Sequence, residues 1–376
     1  MISKACIVGA YQRKLEEIAA YQDITLTVVV PPYWQENGRK LELERAHTQG
    51  YELIVAPMLF NGSFHAHFYP TLASILRRSR PDLCHIDEEP YNLATYLALR
   101  AARRAGAKTL FFTWQNLLRR YPSPFRDMEG YIYRHTDGAI AGNHSAVQVL
   151  REKGYRGPVE IIPQFGVDPG LFAMRPPDRA ERQDGGRQVG TRPFTIGFAG
   201  RLVPEKGLDV LLDAVVGLAG DWRLELYGAG PMLAPLQARA QSLGLADRVT
   251  FHDRVASSEM PDRLATMDVV VLPSLTRSNW KEQFGRVLIE AMSCGVPVIG
   301  SDSGEIPHVI GDGGWVFPEG DATALRALLD KVRGEEAARH TVGQRARAHV
   351  LAHYTQAHIA AETVAFYRAI VAGSPS

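Results

Sequence analysis

The run FTIGFAGRLVPEKGLDVLLDAVVGL, residues 194–218, decides the fold. Its first six residues read as a buried strand that ends on Gly200. Residues 200–207 form a short loop bounded by glycines and carrying Arg201 and Lys206. From Leu208 the apolar positions Leu208, Leu211, Leu212 and Val215 recur at helical spacing, which predicts a helix over 208–218. Working outward, the same alternation of apolar strand and amphipathic helix recurs on both sides. Upstream, strands are predicted at 26–30, 53–56, 83–86, 109–113 and 138–141, with helices at 93–105 and 146–153; an N-terminal strand opens into Gly9. Downstream, strands are predicted at 223–227, 249–252, 269–272 and 297–300, and a last helix at 355–370. Apolar strands separated by helices of this length make parallel sheets covered on both faces. Residues 173–193 break the pattern with Pro, Arg, Asp, Gln and Gly. At about one domain per 150 residues, the chain of 376 residues divides into two doubly wound α/β domains, 1–170 and 194–354, joined by a linker at 171–193.

Composition narrows the functional classes. Lys and Arg total 42 against 41 for Asp and Glu, so no whole-chain field draws the protein to nucleic acid. Cys6, Cys84 and Cys294 lie far apart with no C-x-x-C pair, and are expected as buried reduced thiols. The apolar stretch 5–10 lacks the length and cleavage site of a secretion signal, and no run is long enough to span a bilayer. The expected location is the cytoplasm, with amphipathic surfaces leaving peripheral contact at the inner face of a membrane open. Two basic clusters, Arg77, Arg78, Arg80 and Arg100, Arg103, Arg104, Lys108, read as solvated helix faces or as anionic-lipid contacts.

Three stretches carry chemistry. In the first, a strand end, two cations and a helix start make an anion site: Arg201 offers a planar fork, Lys206 a point charge, and the helix N-terminus its free amides. A diphosphate suits it; pairing with Glu205 or Asp209 is the other reading. The second, Gly228, Ala229, Gly230 and Pro231 after the strand 223–227, reads as a close approach of backbone to ligand or as a routine turn. The third runs from Pro273 to Gly295. With a helix starting near Phe284, Glu290 falls inside an apolar helix, where a carboxylate needs a hydrogen-bonding partner such as a pair of ribose or sugar hydroxyls. Glu282 then lies in the crevice at the carboxyl ends of the strands, where open α/β sheets bind ligands. The opposing reading makes Glu282 a helix-start charge and Glu290 a solvated one.

Together, the Gly-Arg and Lys-Gly loop at 200–207, the Gly-Ala-Gly-Pro loop, and Glu282 with Glu290 around Phe284 and Gly285 resemble the retaining family 4 glycosyltransferases of the GT-B fold. The resemblance covers nearly all of 110–330, including Pro163 to Asp168. It implies two Rossmann-like domains facing one another across a cleft, the N-terminal one binding the acceptor and the C-terminal one the nucleotide-sugar donor, with the last helix, near 355–376, crossing back. It further implies that Arg201, Lys206 and Glu282 are catalytic, the first two neutralising the donor diphosphate without a metal. Gly200, Gly228, Gly230, Arg254, Val255, Phe284, Gly285, Leu288 and Glu290 would bind the donor, with Arg254 and Val255 at the base. No further cofactor is implied. The implied reaction moves a hexose from a UDP- or GDP-sugar to a sugar, glycolipid or small-molecule hydroxyl, with retention by same-face attack, in bacterial polysaccharide or glycolipid biosynthesis.

The chain departs from that family's pattern in three places. Gln115 stands where a His is expected, Gly304, Glu305, Ile306, Pro307 and His308 replace a Gly-Gly-x-Pro-Glu stretch, and no glycine-rich acceptor loop follows the first strand. Two other functions are weighed beside it. An NAD-dependent oxidoreductase needs a G-x-G-x-x-G fingerprint that neither Gly9 nor Gly228 opens, and a non-catalytic nucleotide-sugar-binding protein would keep the donor residues without turnover. His65 and His67 lack a third ligand at metal spacing and are expected as isolated surface histidines. Residues 121–125 read as a packed turn or as an aromatic loop that contacts an acceptor.

Overall fold

The computed structural model describes residues 1–36, 38–174 and 192–373, so residues 175–191 of the expected linker lie outside the described residues. The chain divides into two compact units, one formed by Met1–Gly166 with Gln356–Ser376 and the other by Val167–Thr355. The division falls after Gly166 because the Val167 amide donates to the Tyr354 carbonyl, while the Gln356 side chain donates to the Gly166 carbonyl.

The first unit contains β1 (Thr27–Val30), β2 (Tyr33–Glu36), β3 (Arg39–Glu42), β4 (Glu52–Val55), β5 (Leu83–Ile86), β6 (Lys108–Thr113), β7 (Gly138–Ala141) and β8 (Val159–Ile161). β1 pairs with β4 and β5 to β8 pair in sequence, all parallel. Ile2 alone bridges Val29 and Ile86, which unites both sets in one row. The expected N-terminal strand is therefore reduced to one bridging residue, and two 3-10 turns, Ala5–Ile7 and Gly9–Gln12, follow it. Side chains take the backbone groups that a strand would offer a neighbour. The Cys6 amide donates to Ser3 Oγ, and Gln12 Nε2 donates to the carbonyls of Cys6 and Glu44. β2 and β3 form an antiparallel hairpin that the sequence reading did not foresee.

The last helix, Gln356–Ala372, packs on the helix Arg13–Ala19 and closes one face of this sheet. Its Ile359, Val364, Phe366 and Ile370 share a core with Leu15, Ile18, Val28 and Leu110. Each such fully buried side chain contributes about 1.5–3 kcal/mol.

The second unit holds one parallel sheet of β9 (Phe194–Ala199), β10 (Trp222–Tyr227), β11 (Val249–His252), β12 (Val269–Leu272), β13 (Val298–Ser301) and β14 (Gly314–Phe317), in the order β11-β10-β9-β12-β13-β14. β12 and β13 are buried along their whole length, as strands covered on both faces must be. The chain leaves β9 toward β10 and β11, then returns to β9's other edge as β12, so strand order reverses between β9 and β12. All three cysteines are buried free thiols. Among the described residues, no helix is long and apolar enough to cross a membrane.

Candidate functional site

In an open α/β sheet the ligand crevice lies beyond the carboxyl ends of the strands, where the order reverses. In the second unit that place is filled by the loops following β9 and β12. After β9 the chain runs through Gly200 and an exposed Arg201 to a 3-10 turn, Pro204–Lys206, then enters the helix Leu208–Val216 through Gly207. Gly207 has φ 61° and lies so close to β12 that a Cβ there would stand 2.0 Å from the Pro273 carbonyl oxygen. Only glycine meets both demands. The Leu275 amide completes the junction by donating to the Glu205 carbonyl at 2.8 Å.

This junction brings Lys206 and Glu282 together. Lys206 Nζ donates to Glu282 Oε2 at 2.6 Å, with the two side chains only 13% and 9% exposed. Ser274 Oγ donates to the same oxygen at 2.7 Å, and Lys206 Nζ lies 5.3 Å from the Trp280 ring centre. The Glu282 carbonyl accepts from the Glu305 amide, so the altered 304–308 stretch buttresses Glu282 from behind. Glu305 is itself buried, with an oxygen 3.8 Å from His308 Nδ1.

Glu290 lies on the helix Arg286–Ser293, one turn beyond Arg286, whose Nε donates to it at 2.8 Å. Burial raises the Glu290 carboxyl above its usual range, and the Arg286 guanidinium opposes that rise. The partner that the half-buried Glu290 requires is thus supplied at least in part by its own helix. Phe284 is buried and packs edge-on against Tyr354 at 5.6 Å, while Gly285 caps the helix. Leu288 is wholly buried and offers a ligand no side-chain surface.

The second glycine loop has a structural task of its own. A Cβ at Gly228 or Gly230 would stand 1.9 Å from the Gly200 carbonyl or 2.2 Å from that of Leu202. Both glycines therefore let the loop after β10 lie flat against the loop that carries Arg201. The Leu202 amide donates to the Ala229 carbonyl and the Met232 amide to the Leu202 carbonyl. Arg254 and Val255 follow β11, exposed and half-buried. Beside them Tyr227 and His252, at the ends of β10 and β11, stack at 4.3 Å, and His252 Nε2 meets Glu225 Oε2 at 2.5 Å.

The first unit has a polar row at the corresponding place. Ser3 and Lys4 follow Ile2, and Asp87, Glu88 and Glu89 follow β5, all three acids being buried. Ser3 Oγ donates to Asp87 at 2.6 Å, Gln164 Nε2 donates to the other Asp87 oxygen at 2.8 Å, and the Lys4 ammonium pairs with Glu88. Burial pushes Glu88 up, but Lys4 and then His67 override it and bring its carboxyl down to about 2. Glu89 accepts from Thr113 Oγ1 at 2.6 Å and the Trp114 amide at 2.8 Å, yet burial still raises it to about 7. Gln115, where a His was expected, is buried and accepts from Lys153 Nζ at 3.0 Å. Sequence reading missed these acids, although their signal was present: three consecutive carboxylates directly after an apolar strand. The expectation of surface histidines fails for His67, which is fully buried 3.5 Å from Glu88 because the Leu59–Phe68 loop folds it inward. His65 is half-buried against Tyr121 and Phe125.

Residues 15–170 match the family described as Glycosyltransferase Family 4, and residues 180–349 that described as Glycosyl transferases group 1. The chain is 30% identical over 347 residues to the GDP-mannose-dependent alpha-(1-6)-phosphatidylinositol monomannoside mannosyltransferase of Mycolicibacterium smegmatis, covering 85% of each. It is 29% identical over 271 residues to the D-inositol 3-phosphate glycosyltransferase of Stackebrandtia nassauensis, covering 65% of this chain and 57% of that one. In fold it is similar to Anabaena HepE, solved in complex with UDP, at a TM-score of 0.73 and 20% identity over 98% of each chain.

Proposed function

The chain belongs to glycosyltransferase family 4 and has the GT-B fold, and from that premise we propose that it moves a hexose from a UDP- or GDP-sugar to a hydroxyl acceptor with retention of configuration, in bacterial polysaccharide or glycolipid biosynthesis. The observation that carries this reading is the meeting of Lys206 and Glu282 where strand order reverses in the second unit, with Arg201 exposed on the same loop as Lys206. Arg201 and Lys206, with the first amides of the helix Leu208–Val216, stabilise the diphosphate as negative charge develops on the leaving group. Positive side chains fill the role that a metal ion plays elsewhere, so the proposed enzyme is metal-independent. The diphosphate takes the Lys206 ammonium from Glu282, whose carboxylate then accepts hydroxyls of the hexose. Glu290 accepts the ribose hydroxyls, the Phe284 and Gly285 amides approach the sugar and phosphate, and the loop holding Arg254 and Val255 reads the base. The first unit holds the acceptor, and the leaving phosphate takes the acceptor's proton on the face it departs from. The GDP-mannose named for the mycolicibacterial relative makes GDP the first base to test.

The test is release of nucleoside diphosphate from GDP-mannose, UDP-glucose and UDP-N-acetylglucosamine in the presence of simple glycoside, inositol and glycolipid acceptors, with the product's anomeric configuration read by NMR. An α-linked product from an α-linked donor, formed equally well with EDTA present, is expected. Donor binding without turnover on any acceptor would instead support a non-catalytic nucleotide-sugar-binding protein, and an inverted product would overturn the same-face mechanism.

A further inference from the structure

The loop that follows β4 exposes three large apolar side chains within six residues: Leu59 at 48%, Phe60 at 65% and Phe64 at 44%. It is firmly built. Leu59 and Phe68 form an antiparallel bridge, each amide donating to the other's carbonyl, at 2.9 and 3.2 Å. Asn61 pins the tip to the hairpin, its Oδ1 accepting from the Gln35 amide at 2.8 Å and its Nδ2 donating to the Tyr33 carbonyl at 2.7 Å. Phe60 has φ 51°, a left-handed conformation that a bulky residue rarely adopts. The fold holds this phenylalanine in an unfavourable backbone state and leaves its ring largely in solvent.

The loop after β6 adds Leu118, 50% exposed and followed by the exposed Arg119 and Arg120. Ring contacts join the two loops: Phe64 to His65 at 5.6 Å, then His65 to Tyr121 at 5.5 Å and to Phe125 at 5.1 Å. Charge on the two loops is predominantly positive. Residues 59–68 contain no Asp, Glu, Lys or Arg, while residues 117–127 contain Arg119, Arg120 and Arg126 against Asp127 alone.

Apolar side chains displayed on a rigid loop mark an interaction site, and a rim of guanidinium groups beside them matches the make-up of an interfacial anchor for anionic lipid. We infer that these two loops dock the protein on an anionic bilayer surface, Phe60, Phe64 and Leu118 entering the boundary between headgroups and acyl chains while Arg119 and Arg120 meet lipid phosphates. The inference deepens the proposed function and rests on its glycolipid reading, because it places the acceptor-binding unit against the lipid that would carry such an acceptor.

The experiment is cosedimentation of the full chain with vesicles of phosphatidylcholine alone or mixed with phosphatidylglycerol. Binding to the mixed vesicles that weakens with salt is expected. F60S and F64S should each weaken it about tenfold, the share of one partly buried aromatic ring. R119Q/R120Q should remove most of the preference for the anionic vesicles, and L351S, at an exposed apolar position of the second unit, should change nothing. Thermal stabilisation by a nucleoside diphosphate, read on the same samples, confirms that each variant is folded. Wild-type protein that ignores both vesicles while keeping that stabilisation would overturn the inference and leave the transferase reading standing. Unchanged binding of an F60S/F64S double variant would overturn it as well. So would a dimer in sedimentation velocity that F60S/F64S converts to monomer, since the rings would then cover one another. Vesicle binding as expected with no nucleotide stabilisation would instead keep the docking surface and remove the transferase reading.

Discussion

Replacing Lys206 by methionine keeps the side-chain stem and removes the charge. The partner left behind, Glu282, is 9% exposed and was paired at 2.6 Å. Removing one member of a buried pair costs about 3–5 kcal/mol, because the remaining charge stays desolvated. Ser274 still donates to Glu282, which places the expected loss in the second unit near the lower end, about 3 kcal/mol. Adding Glu282→Gln removes the stranded charge and should restore stability to within about 1 kcal/mol of wild type, since neutral isosteres of a buried pair are often no less stable. Turnover should follow another course. Loss of one positioned donor to developing negative charge costs about a hundredfold or more in kcat, and the double variant cannot recover it. Urea midpoints followed by fluorescence, together with steady-state rates on the same preparations, separate the two effects. A double variant as unstable as Lys206→Met would show that the pair is not what holds the junction, and a Lys206→Met enzyme with normal kcat would remove Lys206 from the diphosphate site.

Three further outcomes are expected. Glu290→Gln should weaken nucleoside diphosphate binding about tenfold or more in calorimetry, the loss of one charge-assisted hydrogen bond, with the urea midpoint little changed. Gly207→Ala should cost about 2 kcal/mol or more, because its Cβ would meet the Pro273 carbonyl at 2.0 Å in a backbone with φ 61°, and a near-normal midpoint would refute that packing. The first unit should also respond to pH. Glu89 titrates near 7 in the folded chain against an ordinary 4.5, so the folded state holds the extra proton and stability falls as pH rises between those values. Glu88, lowered to about 2, contributes in the opposite sense: its stabilisation is present above about 4.5 and lost toward pH 2. Urea midpoints across this range should flatten above pH 4.5 in Glu89→Gln and should lose their acid limb in Glu88→Gln.

The sheets were legible where strands are buried on both faces. The runs 138–141 and 269–272 coincide with β7 and β12, both buried along their whole length, because an apolar strand with no polar alternation has few other uses in a chain of this kind. Legibility failed where side chains replace the backbone ladder. Ile2 forms its strand alone because Ser3, Gln12 and Glu44 capture the amides and carbonyls that follow it. The hairpin of β2 and β3 escaped because Tyr33, Trp34, Gln35 and Glu36 show no clear alternation and lie half in solvent.

At the site, the glycine-bounded loop that carries Arg201 and Lys206 after β9 was readable from the sequence. The contact between Lys206 and Glu282 was not, since it depends on strand order rather than on spacing. The i, i+4 partner of Glu290 could have been read from the sequence, for Arg286 stands one helical turn before it. Gly228 and Gly230 show the opposite limit. A glycine that admits a ligand and one that admits a neighbouring carbonyl look alike in sequence.

The proposed function requires that the loop from Gly200 to Gly207 hold the diphosphate of a nucleotide sugar. Thermal unfolding of wild type and Arg201→Ala with UDP, GDP, ADP, the matching nucleotide sugars and NAD tests it most directly. A ligand at a hundred times its dissociation constant stabilises the folded state by about 2.7 kcal/mol. A clear rise in Tm with one nucleoside diphosphate and its sugar, absent in Arg201→Ala, is expected. A rise with NAD alone, or an Arg201→Ala variant stabilised as fully as wild type, would contradict it.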